Sequence, residues 1–427
     1  MKFFVRIRLL TLWVLILSLS WFVFGIPTSP SKAAGPVAIT FWHGLTGPDG
    51  KFLTAMADQF NKEQSAIRVT ASVYPWDVFF DKWVAAAAAG NPPDVVTYHI
   101  NEMPQYQEKG ILVPLDDLVK QAGIDMSAFP KVAQEAAYRH NQLWGVPLDI
   151  HPIALYYNVA LVTAAGLDPN KPPTNRDQFL TWARKLTKPD GSQYGVAMPG
   201  TNVDTFRVWW GWIFQNGGKF ISADGKTAEM NDPKTAEALQ FAADLIYKYK
   251  VAPPGESDPD ADFKSQKVGM EFQGPWWITG YQDAGLNFRT AAQPAIFAQP
   301  GVWASDHFFS LSQTKDATRQ LATIKFVRWL EDHALLWSQA GQVPANEKVR
   351  ALQAYKASKL FPFLNGFQAE IPYAHLTPSI VQSTEIFAEN VQTPLVVNYQ
   401  AVMLNKKSAS QALKDMQQGI QSVLNRP

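Results

Sequence analysis

Histidine and aspartate are the residue types in this sequence best suited to acid–base or metal chemistry, but their spacing matches neither G-x-S-x-G nor H-E-x-x-H. There is no cysteine, and no pair among the seven histidines falls at metal-ligand spacing, so we predict no metal site and no cofactor. A glycoside hydrolase uses two carboxylates whose separation depends on the fold, so the sequence does not exclude such a pair. Asp149 and Asp306 are the best candidates for it.

The stretch FWHGLTGPDGKF, residues 41–52, combines three glycines with a lysine between an apparent strand and an apparent helix. A phosphate-binding P-loop needs a further glycine where Leu45 stands, and a serine or threonine where Phe52 stands. The motif therefore fails twice. We interpret the glycines as allowing a sharp turn that holds Trp42 and His43 at its edge, with the start of the helix offering N–H groups to a polar ligand.

Tryptophans are concentrated at predicted chain turns. Four others, Trp83, Trp182, Trp329 and Trp337, have helical apolar spacing and are predicted to be core residues. The turn tryptophans have polar neighbours that include Ser305. A sugar presents a C–H face that stacks on flat rings and hydroxyls that each need a hydrogen bond. We therefore predict a carbohydrate site among these residues: Trp42, His43, Trp76, His99, Asn101, Asp149, His151, Trp210, Trp276, Trp303 and His307.

Strand and helix patterns alternate along most of the chain, which predicts an α/β fold with mostly parallel sheets. Apolar or alternating segments at 67–73, 94–100, 268–272 and 302–311 read as strands, and 48–64 reads as a helix with apolar residues every four positions. After Lys315 the pattern is almost entirely helical. Ligands of open parallel sheets bind beyond the carboxyl ends of the strands, which is where the polar and aromatic residues fall.

The first 33 residues have the features of a cleavable secretory signal. Basic residues and an apolar run of sixteen residues, Leu9–Phe24, precede the small residues Ser31 and Ala33 at the expected cleavage point. The alternative is an uncleaved membrane anchor, for which the run falls short of the ~20 apolar residues that span a bilayer. We expect a periplasmic protein.

The remaining chain, of about 394 residues, is long enough for two domains. The signal contains four of the 38 basic residues and none of the 37 acidic ones, so the remainder has 34 basic side chains and a net charge of −3. This charge argues against nucleic acid or an anionic membrane as a partner. The sequence shows no repeat and no flexible linker, which indicates that the chain crosses between the domains more than once.

Five stretches, in order, resemble the periplasmic sugar-binding proteins of ABC transporters, the family that contains the maltose-binding and glycerol-3-phosphate-binding proteins. They are ITFWHGLTGPDGKFLTAMADQFNKE, AAAAAGNPPDVV, GVPLDIHPIALYYNVALVTAAGLDP, KVGMEFQGPWWI and AGQVPANEKV. The resemblance covers nearly all of the chain after the signal. It implies a two-lobed α/β fold, each lobe a mostly parallel sheet flanked by helices, with hinge strands between the lobes and the ligand in the cleft.

By this resemblance, the hinges lie near residues 149–154, 289–294 and 313–317. The N-terminal lobe would consist of residues 34–150 and 292–315, and the C-terminal lobe of residues 151–291 and 316–427. The resemblance also implies a monomer that delivers its ligand to an ABC permease.

The resemblance assigns roles to individual residues. The aromatic after Gly-Pro, here Trp276, stacks on the sugar. His151 stands where the maltose-binding protein has an acidic sugar ligand, with Asp149 two residues before it, which puts maltose itself in doubt. His99 and Asn101 follow a strand that family members use for sugar-bonding residues. Trp42 and His43 face the cleft from the first loop, and Trp210 corresponds to a family aromatic.

Two alternatives to a sugar receptor remain open. A receptor for glycerol-3-phosphate or a glycerophosphodiester would need basic groups in the cleft, and Arg207 is the main candidate. A periplasmic glycoside hydrolase would use Asp149 and Asp306.

Overall fold

The computed structural model describes residues 35–198, 200–201, 203–255, 258–388 and 392–426. The predicted signal segment, residues 1–33, lies outside these ranges. The fold lies within Val37–Pro427, which forms a compact unit. In the described residues, no helix has the length and apolar character needed to span a membrane.

The strands of the described residues, in chain order, are β1 (Val37–His43), β2 (Ile67–Val73), β3 (Val95–Tyr98), β4 (Tyr138–Arg139), β5 (Gln142–Leu143), β6 (Val146–Pro152), β7 (Ala154–Asn158), β8 (Tyr194–Val196), β9 (Val268–Gln273), β10 (Phe288–Ala291), β11 (Val302–Leu311) and β12 (Ala374–Leu376).

The helices up to residue 283 are α1 (Gly50–Glu63), α2 (Trp76–Ala88), α3 (Met103–Glu108), α4 (Asp116–Ala122), α5 (Lys131–Ala137), α6 (Val159–Ala164), α7 (Arg176–Leu186), α8 (Val203–Gln215), α9 (Pro233–Tyr247), α10 (Pro259–Lys264) and α11 (Ile278–Asp283). The later helices are α12 (Ala317–Asp332), α13 (Ala334–Trp337), α14 (Glu347–Ala351), α15 (Gln353–Lys356), α16 (Phe361–Glu370), α17 (Ser383–Phe387), α18 (Pro394–Met403) and α19 (Ala409–Leu424).

The first sheet has the order β12-β11-β3-β1-β2, and β6 also pairs with β11. Strands β2, β1 and β3 are parallel, whereas β11 runs antiparallel to both β3 and β6. The alternation of β1 buries Ile39, Phe41 and His43 on one face, and α1 covers the sheet with Leu53, Met56 and other apolar residues spaced three or four apart.

The second sheet has the order β10-β7-β9-β8. Its two pairings of β7, with β10 and with β9, are antiparallel, and only β8 and β9 are parallel. The prediction of a mostly parallel sheet therefore does not describe this sheet. Alternation along β7 sends Leu155 and Tyr157 into one buried cluster and Tyr156 into another, so that this strand is buried on both faces.

The chain crosses from the first sheet to the second at Ile153, between β6 and β7, and returns between β10 and β11. Both crossings fall at or directly after predicted hinges. The predicted hinge at 313–317 and the placement of all of 316–427 in the C-terminal lobe are wrong for α12. The ring of Phe326 on this helix packs against Phe41 of β1 and Phe60 of α1, at centroid distances of 5.6 and 5.0 Å.

The third crossing follows α13. Trp337 and Ala340 belong to the buried cluster of the first sheet, whereas Val343, Tyr355 and Leu364 belong to a cluster that packs on the second sheet. Strand β12 then adds to the edge of the first sheet beside β11. The remaining helices, α17 to α19, pack in the large cluster on the other face of the second sheet.

Candidate functional site

The insertion of β11 between β3 and β6 brings together three histidines that are far apart in the sequence. In the antiparallel register, His307 of β11 lies opposite Asp149 of β6, and Ser305 lies opposite His151. On the other side, Phe308 pairs with Tyr98, so that His99, the next residue after β3, lies beside His307. The ring centroid of His307 lies 4.5 Å from that of His151 and 4.8 Å from that of His99. We call these three residues the histidine cluster.

The Asp149 side chain has no solvent exposure and organises the histidine cluster through four donors. Nδ1 of His151 lies 2.8 Å from one carboxylate oxygen, and Nδ1 of His307 lies 2.9 Å from the other. The backbone N–H of His307 and Nε1 of Trp337 also donate to it, at 3.0 and 2.7 Å. Asp149 therefore fixes the orientation of two imidazole rings and directs their Nε2 atoms away from itself.

Burial and charge set the protonation of this group. Burial opposes ionisation of Asp149, but His307 and His151 outweigh it and hold the pKa of Asp149 below its usual range. Burial lowers the pKa of His151 to about 4, and it lowers the pKa of His99 well below the ordinary value. For His307, burial is outweighed by the Asp149 carboxylate, and the pKa is raised. The cluster is thus built around the buried Asp149 carboxylate, which faces the imidazoles of His151 and His307.

Trp76 forms one aromatic wall of the histidine cluster. Its ring lies parallel to His307, with centroids 6.2 Å apart and an interplanar angle of 6°, and contacts His99 at 4.9 Å. A Cβ atom at Gly44 would come within 2.1 Å of the Trp76 indole. The glycine of the first loop therefore makes room for this ring, a role that the turn argument did not anticipate.

Trp276 forms a second wall, contributed by the other sheet. It follows β9 in the 3₁₀ turn Pro275–Trp277, is half-buried, and meets His151 edge-on at a centroid distance of 5.5 Å. A Cβ atom at Gly274 would lie 2.0 Å from its ring, so the Gly-Pro sequence is needed to seat the indole. Side chains that follow strands of both sheets thus meet at this point.

Arg207 of α8 lies between two tryptophans. Its guanidinium group is 4.4 Å from the ring centroid of Trp303 and 5.2 Å from that of Trp276. Its Nη1 donates to Asp204 at 2.9 Å, and Gln273 donates to the other oxygen of Asp204 at 2.8 Å. Trp303 also lies 6.3 Å from the His151 ring. The positive charge at this wall is accordingly paired with a carboxylate.

Two residues of the predicted site lie in packed interiors instead. Trp210 is 1% exposed and stacks on Phe220 at 3.9 Å, because α8 is enclosed on nearly all sides. His43 is completely buried, with Nε2 3.1 Å from Oγ1 of Thr54, because the alternation of β1 points it to the helix-covered face. Both side chains are packed inside the protein, which does not favour contact with a ligand, and their roles in binding stay predictions.

Two further predicted residues are partly exposed but have other contacts. Trp42 packs edge-on against Tyr74 at 4.7 Å, and in the described residues it makes no ring contact with the histidine cluster. Asn101 donates through Nδ2 to the hydroxyl of Ser383 on α17, at 3.2 Å. Their roles in ligand binding stay predictions.

Sequence reasoning missed three features of this site. It described Trp337 as core packing, although its N–H holds Asp149. It also gave no role to Asp49, a buried carboxyl group that accepts a hydrogen bond from Gln342 at 2.8 Å and whose pKa is raised by burial. Finally, it found no metal-ligand spacing among the histidines, whereas His99, His151 and His307 have nitrogen atoms that all lie within 4.8 Å of one another. Only the i, i+2 spacing of Asp149 and His151 on a strand could have indicated part of this arrangement.

Two surface depressions, with volumes of about 480 and 580 Å³, lie away from this region. One is lined by residues around Gly217–Lys219 and Asp232, and the other by residues around Leu167 and Trp182. Neither contains a residue of the predicted site. The aromatic and ionisable side chains of the predicted site meet at the histidine cluster and not in these depressions.

Two α/β layers joined by crossing segments, with aromatic and polar side chains of both meeting at one place, define a two-lobed binding protein. The chain belongs to the bacterial extracellular solute-binding protein family, whose model matches residues 44–334.

Individual relatives agree with this assignment. The chain is 21% identical to a maltotriose-binding protein of Pyrococcus abyssi over 90% of this chain and 83% of that protein. It is 24% identical to the sn-glycerol-3-phosphate-binding periplasmic protein UgpB of Pectobacterium atrosepticum over 75% of this chain and 76% of the relative.

Solved structures show the same fold. An ABC substrate-binding protein of Listeria monocytogenes in complex with cycloalternan has a TM-score of 0.79 at 22% identity, covering 92% of this chain and all of the other. A cyclic alpha-maltosyl-1,6-maltose binding protein of Arthrobacter globiformis has a TM-score of 0.77 at 24% identity, covering 91% and 99%. The two-lobed fold predicted from the sequence is confirmed.

Proposed function

We propose that this protein is the extracytoplasmic receptor of an ABC importer and that it binds a sugar or oligosaccharide between its two lobes. The observation that carries the proposal is the meeting of Trp76, Trp276 and Trp303 around the histidine cluster. Indole faces can cover the C–H surface of a sugar ring, and imidazole nitrogens can donate to or accept from its hydroxyls. The similar proteins that bind maltotriose, cycloalternan and cyclic alpha-maltosyl-1,6-maltose support the same ligand class.

Hydrogen bonds between the lobes suggest how the ligand would act. Gln105 of α3 donates to Thr384 of α17 at 2.8 Å, next to the contact between Asn101 and Ser383. We assign α3 to the N-terminal lobe and α17 to the C-terminal lobe. The lobe boundaries are those predicted from the sequence, except that we move α12 and α13 to the N-terminal lobe. A sugar that contacts both lobes would favour this closed arrangement to the extent that it binds the closed form more tightly. The closed, monomeric receptor would then dock on the permease.

We also propose that the protein is exported to the periplasm and that it is not an enzyme. A pair of carboxyl groups with opposed pKa shifts occurs in glycosidases, and burial raises the pKa of Asp306 to about 8 while that of Asp149 is lowered. However, Asp149 is enclosed by four donors and Asp306 is only 1% exposed, with one oxygen bonded to the backbone N–H of Ile100. Neither carboxyl group has the access to substrate that acid catalysis needs.

Intrinsic tryptophan fluorescence, titrated with a panel of mono- and oligosaccharides, tests the ligand class. We expect a saturable change with at least one sugar, together with a raised melting temperature, because a ligand that binds only the folded state stabilises it. Mass spectrometry of solute that co-purifies with the protein would identify the compound. A flat fluorescence response and an unchanged melting temperature across the whole panel would contradict the proposal.

A phosphate-bearing ligand is the second candidate, because the relatives include sn-glycerol-3-phosphate-binding proteins and Arg207 lies at the site. If the ligand is phosphorylated, Arg207→Ala should weaken its binding by about 10- to 150-fold, since charge-assisted hydrogen bonds contribute ~1.5–3 kcal/mol. For a neutral sugar, Arg207→Ala should change Kd by less than about tenfold. We expect this second outcome, because the Asp204 carboxylate already pairs with Arg207. Calorimetric titration of the variant with glycerol-3-phosphate and with the best sugar of the panel separates the two candidates.

A further inference from the structure

The histidine cluster has a geometry that hydrogen bonding to a sugar does not require. Its three imidazoles come from one sheet, at the end of β3, in β6 and in β11, and one nitrogen of each lies within 4.8 Å of the others. His151 and His307 are 2% and 4% exposed. Three imidazole nitrogens this close together, two of them on buried side chains, form a donor set that transition-metal ions prefer.

The hydrogen bonds of the cluster leave at least one ring nitrogen of each histidine without a protein partner among the described residues. Nδ1 of His151 and Nδ1 of His307 are both engaged by Asp149. In the part of the chain that the structure describes, no protein group bonds Nε2 of either ring, and neither nitrogen of His99 has a hydrogen-bond partner. Histidines that ligate a metal commonly donate their second ring N–H to a carboxylate in this way, which fixes the tautomer and strengthens the ligand.

From this geometry we infer that His99, His151 and His307 bind one divalent transition-metal ion of the class of Zn²⁺, Ni²⁺ or Cu²⁺, with Asp149 as the positioning residue. Tetrahedral zinc has Zn–N bonds of ~2.0–2.1 Å, which place its nitrogen ligands about 3.3 Å apart. Binding must therefore draw the nitrogens together by up to about 1.5 Å. His99 can supply most of this shift, because it is the least buried of the three and follows β3 outside the regular ladder.

The charges around the cluster are compatible with a cation. The Asp149 carboxylate contacts two of the three ligands and supplies one negative charge. Arg207 opposes a cation, but its guanidinium group is paired with Asp204.

The three proposed ligands leave further coordination positions open to a solute. This inference does not require the ligand to be a sugar, because metal binding is measured with the metal alone. The opposing hypothesis is that the three histidines serve only as hydrogen-bonding groups for an organic ligand. That hypothesis predicts no stoichiometric binding of metal.

The test is calorimetric titration of the untagged protein, freed of metal with EDTA and then dialysed, with ZnCl₂. We expect one tight equivalent of zinc. His99→Gln and Asp149→Asn should each weaken it by about 10- to 100-fold, as is typical when a ligand or its supporting carboxylate is lost. His140→Asn is the matched control, since His140 is exposed, has a φ of 52° that asparagine tolerates, and lies outside the cluster. It should bind zinc as the unmodified protein does.

Cobalt gives a second readout that does not depend on affinity. Co²⁺ in place of zinc should produce the intense visible absorption of a tetrahedral site, which His99→Gln should abolish. Absence of a stoichiometric zinc equivalent, or equal weakening by His99→Gln and His140→Asn, would overturn the inference. Sugar titrations repeated in EDTA keep the two proposals separate: sugar binding without zinc binding removes only the metal site, and zinc binding without any sugar response removes only the carbohydrate receptor.

Discussion

Replacing Asp149 with alanine is expected to lower the free energy of unfolding by about 3–5 kcal/mol, the cost of removing one partner from a buried ion pair. The variant leaves the imidazoles of His151 and His307 and the N–H of Trp337 without their common acceptor, on side chains that are at most 4% exposed. Each unmet donor adds to the loss. Urea unfolding followed by circular dichroism should show a lower midpoint with little change in the slope.

Asp49→Asn is the matched control for this prediction. Asp49 is also buried, and burial raises the pKa of its carboxyl group, whereas the pKa of Asp149 is lowered, so a neutral amide is a smaller change at Asp49 than at Asp149. The carbonyl of the asparagine can still accept from Gln342, and we expect a change below about 1 kcal/mol.

The double variant Asp149→Ala, His307→Gln tests whether the ion pair acts as a unit. It should recover part of the loss measured for Asp149→Ala, because residues in direct contact are energetically coupled. If Asp149→Ala leaves the midpoint unchanged, the carboxylate does not organise the histidine cluster.

Local patterns in the sequence were sufficient for the strands that build the site. The segments 94–100 and 302–311 predicted β3 and β11, and the Gly274-Pro275 sequence marked the turn that carries Trp276. These features depend on neighbours in the chain, which the sequence displays directly.

The pairing of strands, in contrast, depends on contacts between distant segments. His99, His151 and His307 become neighbours only because β11 runs antiparallel between β3 and β6, and no spacing rule contains that information. For the same reason the sheet against which α12 packs was not predictable: the periodicity of a helix shows that one face is buried but not which partner covers it.

Trp210 illustrates a different limit. A helix that begins VDTFRVWWGWIF is apolar on nearly every face, and such a helix is enclosed by the protein. Reading its tryptophans as turn residues at a ligand site ignored this composition. Arg207, the one cation in that stretch, is the residue of α8 that reaches the tryptophans of the site.

Removing the Trp276 ring is expected to weaken carbohydrate binding more than any other single truncation at the site. Trp276 is half-buried, contacts His151 of the first sheet and Arg207 of α8, and so presents its indole where a ligand between the lobes would lie. Central aromatic contacts of this kind contribute ~2 kcal/mol or more, which corresponds to at least about 30-fold in Kd. Calorimetric titration of Trp276→Ala with the best sugar of the fluorescence panel measures the loss, and Trp276→Phe should give an intermediate value because part of the stacking surface remains.

The adjacent Trp277 provides the control. Its ring stacks on Tyr281 at 5.5 Å and lies under Lys264, with no ring contact to the histidine cluster in the described residues. Trp277→Ala should therefore lower the melting temperature while leaving Kd within a few-fold of that of the unmodified protein. Equal Kd values for Trp276→Ala and Trp277→Ala, in variants whose circular dichroism spectra are unchanged, would place the sugar elsewhere. The difference between two neighbouring indoles thus decides whether the point where the two sheets meet is the carbohydrate site.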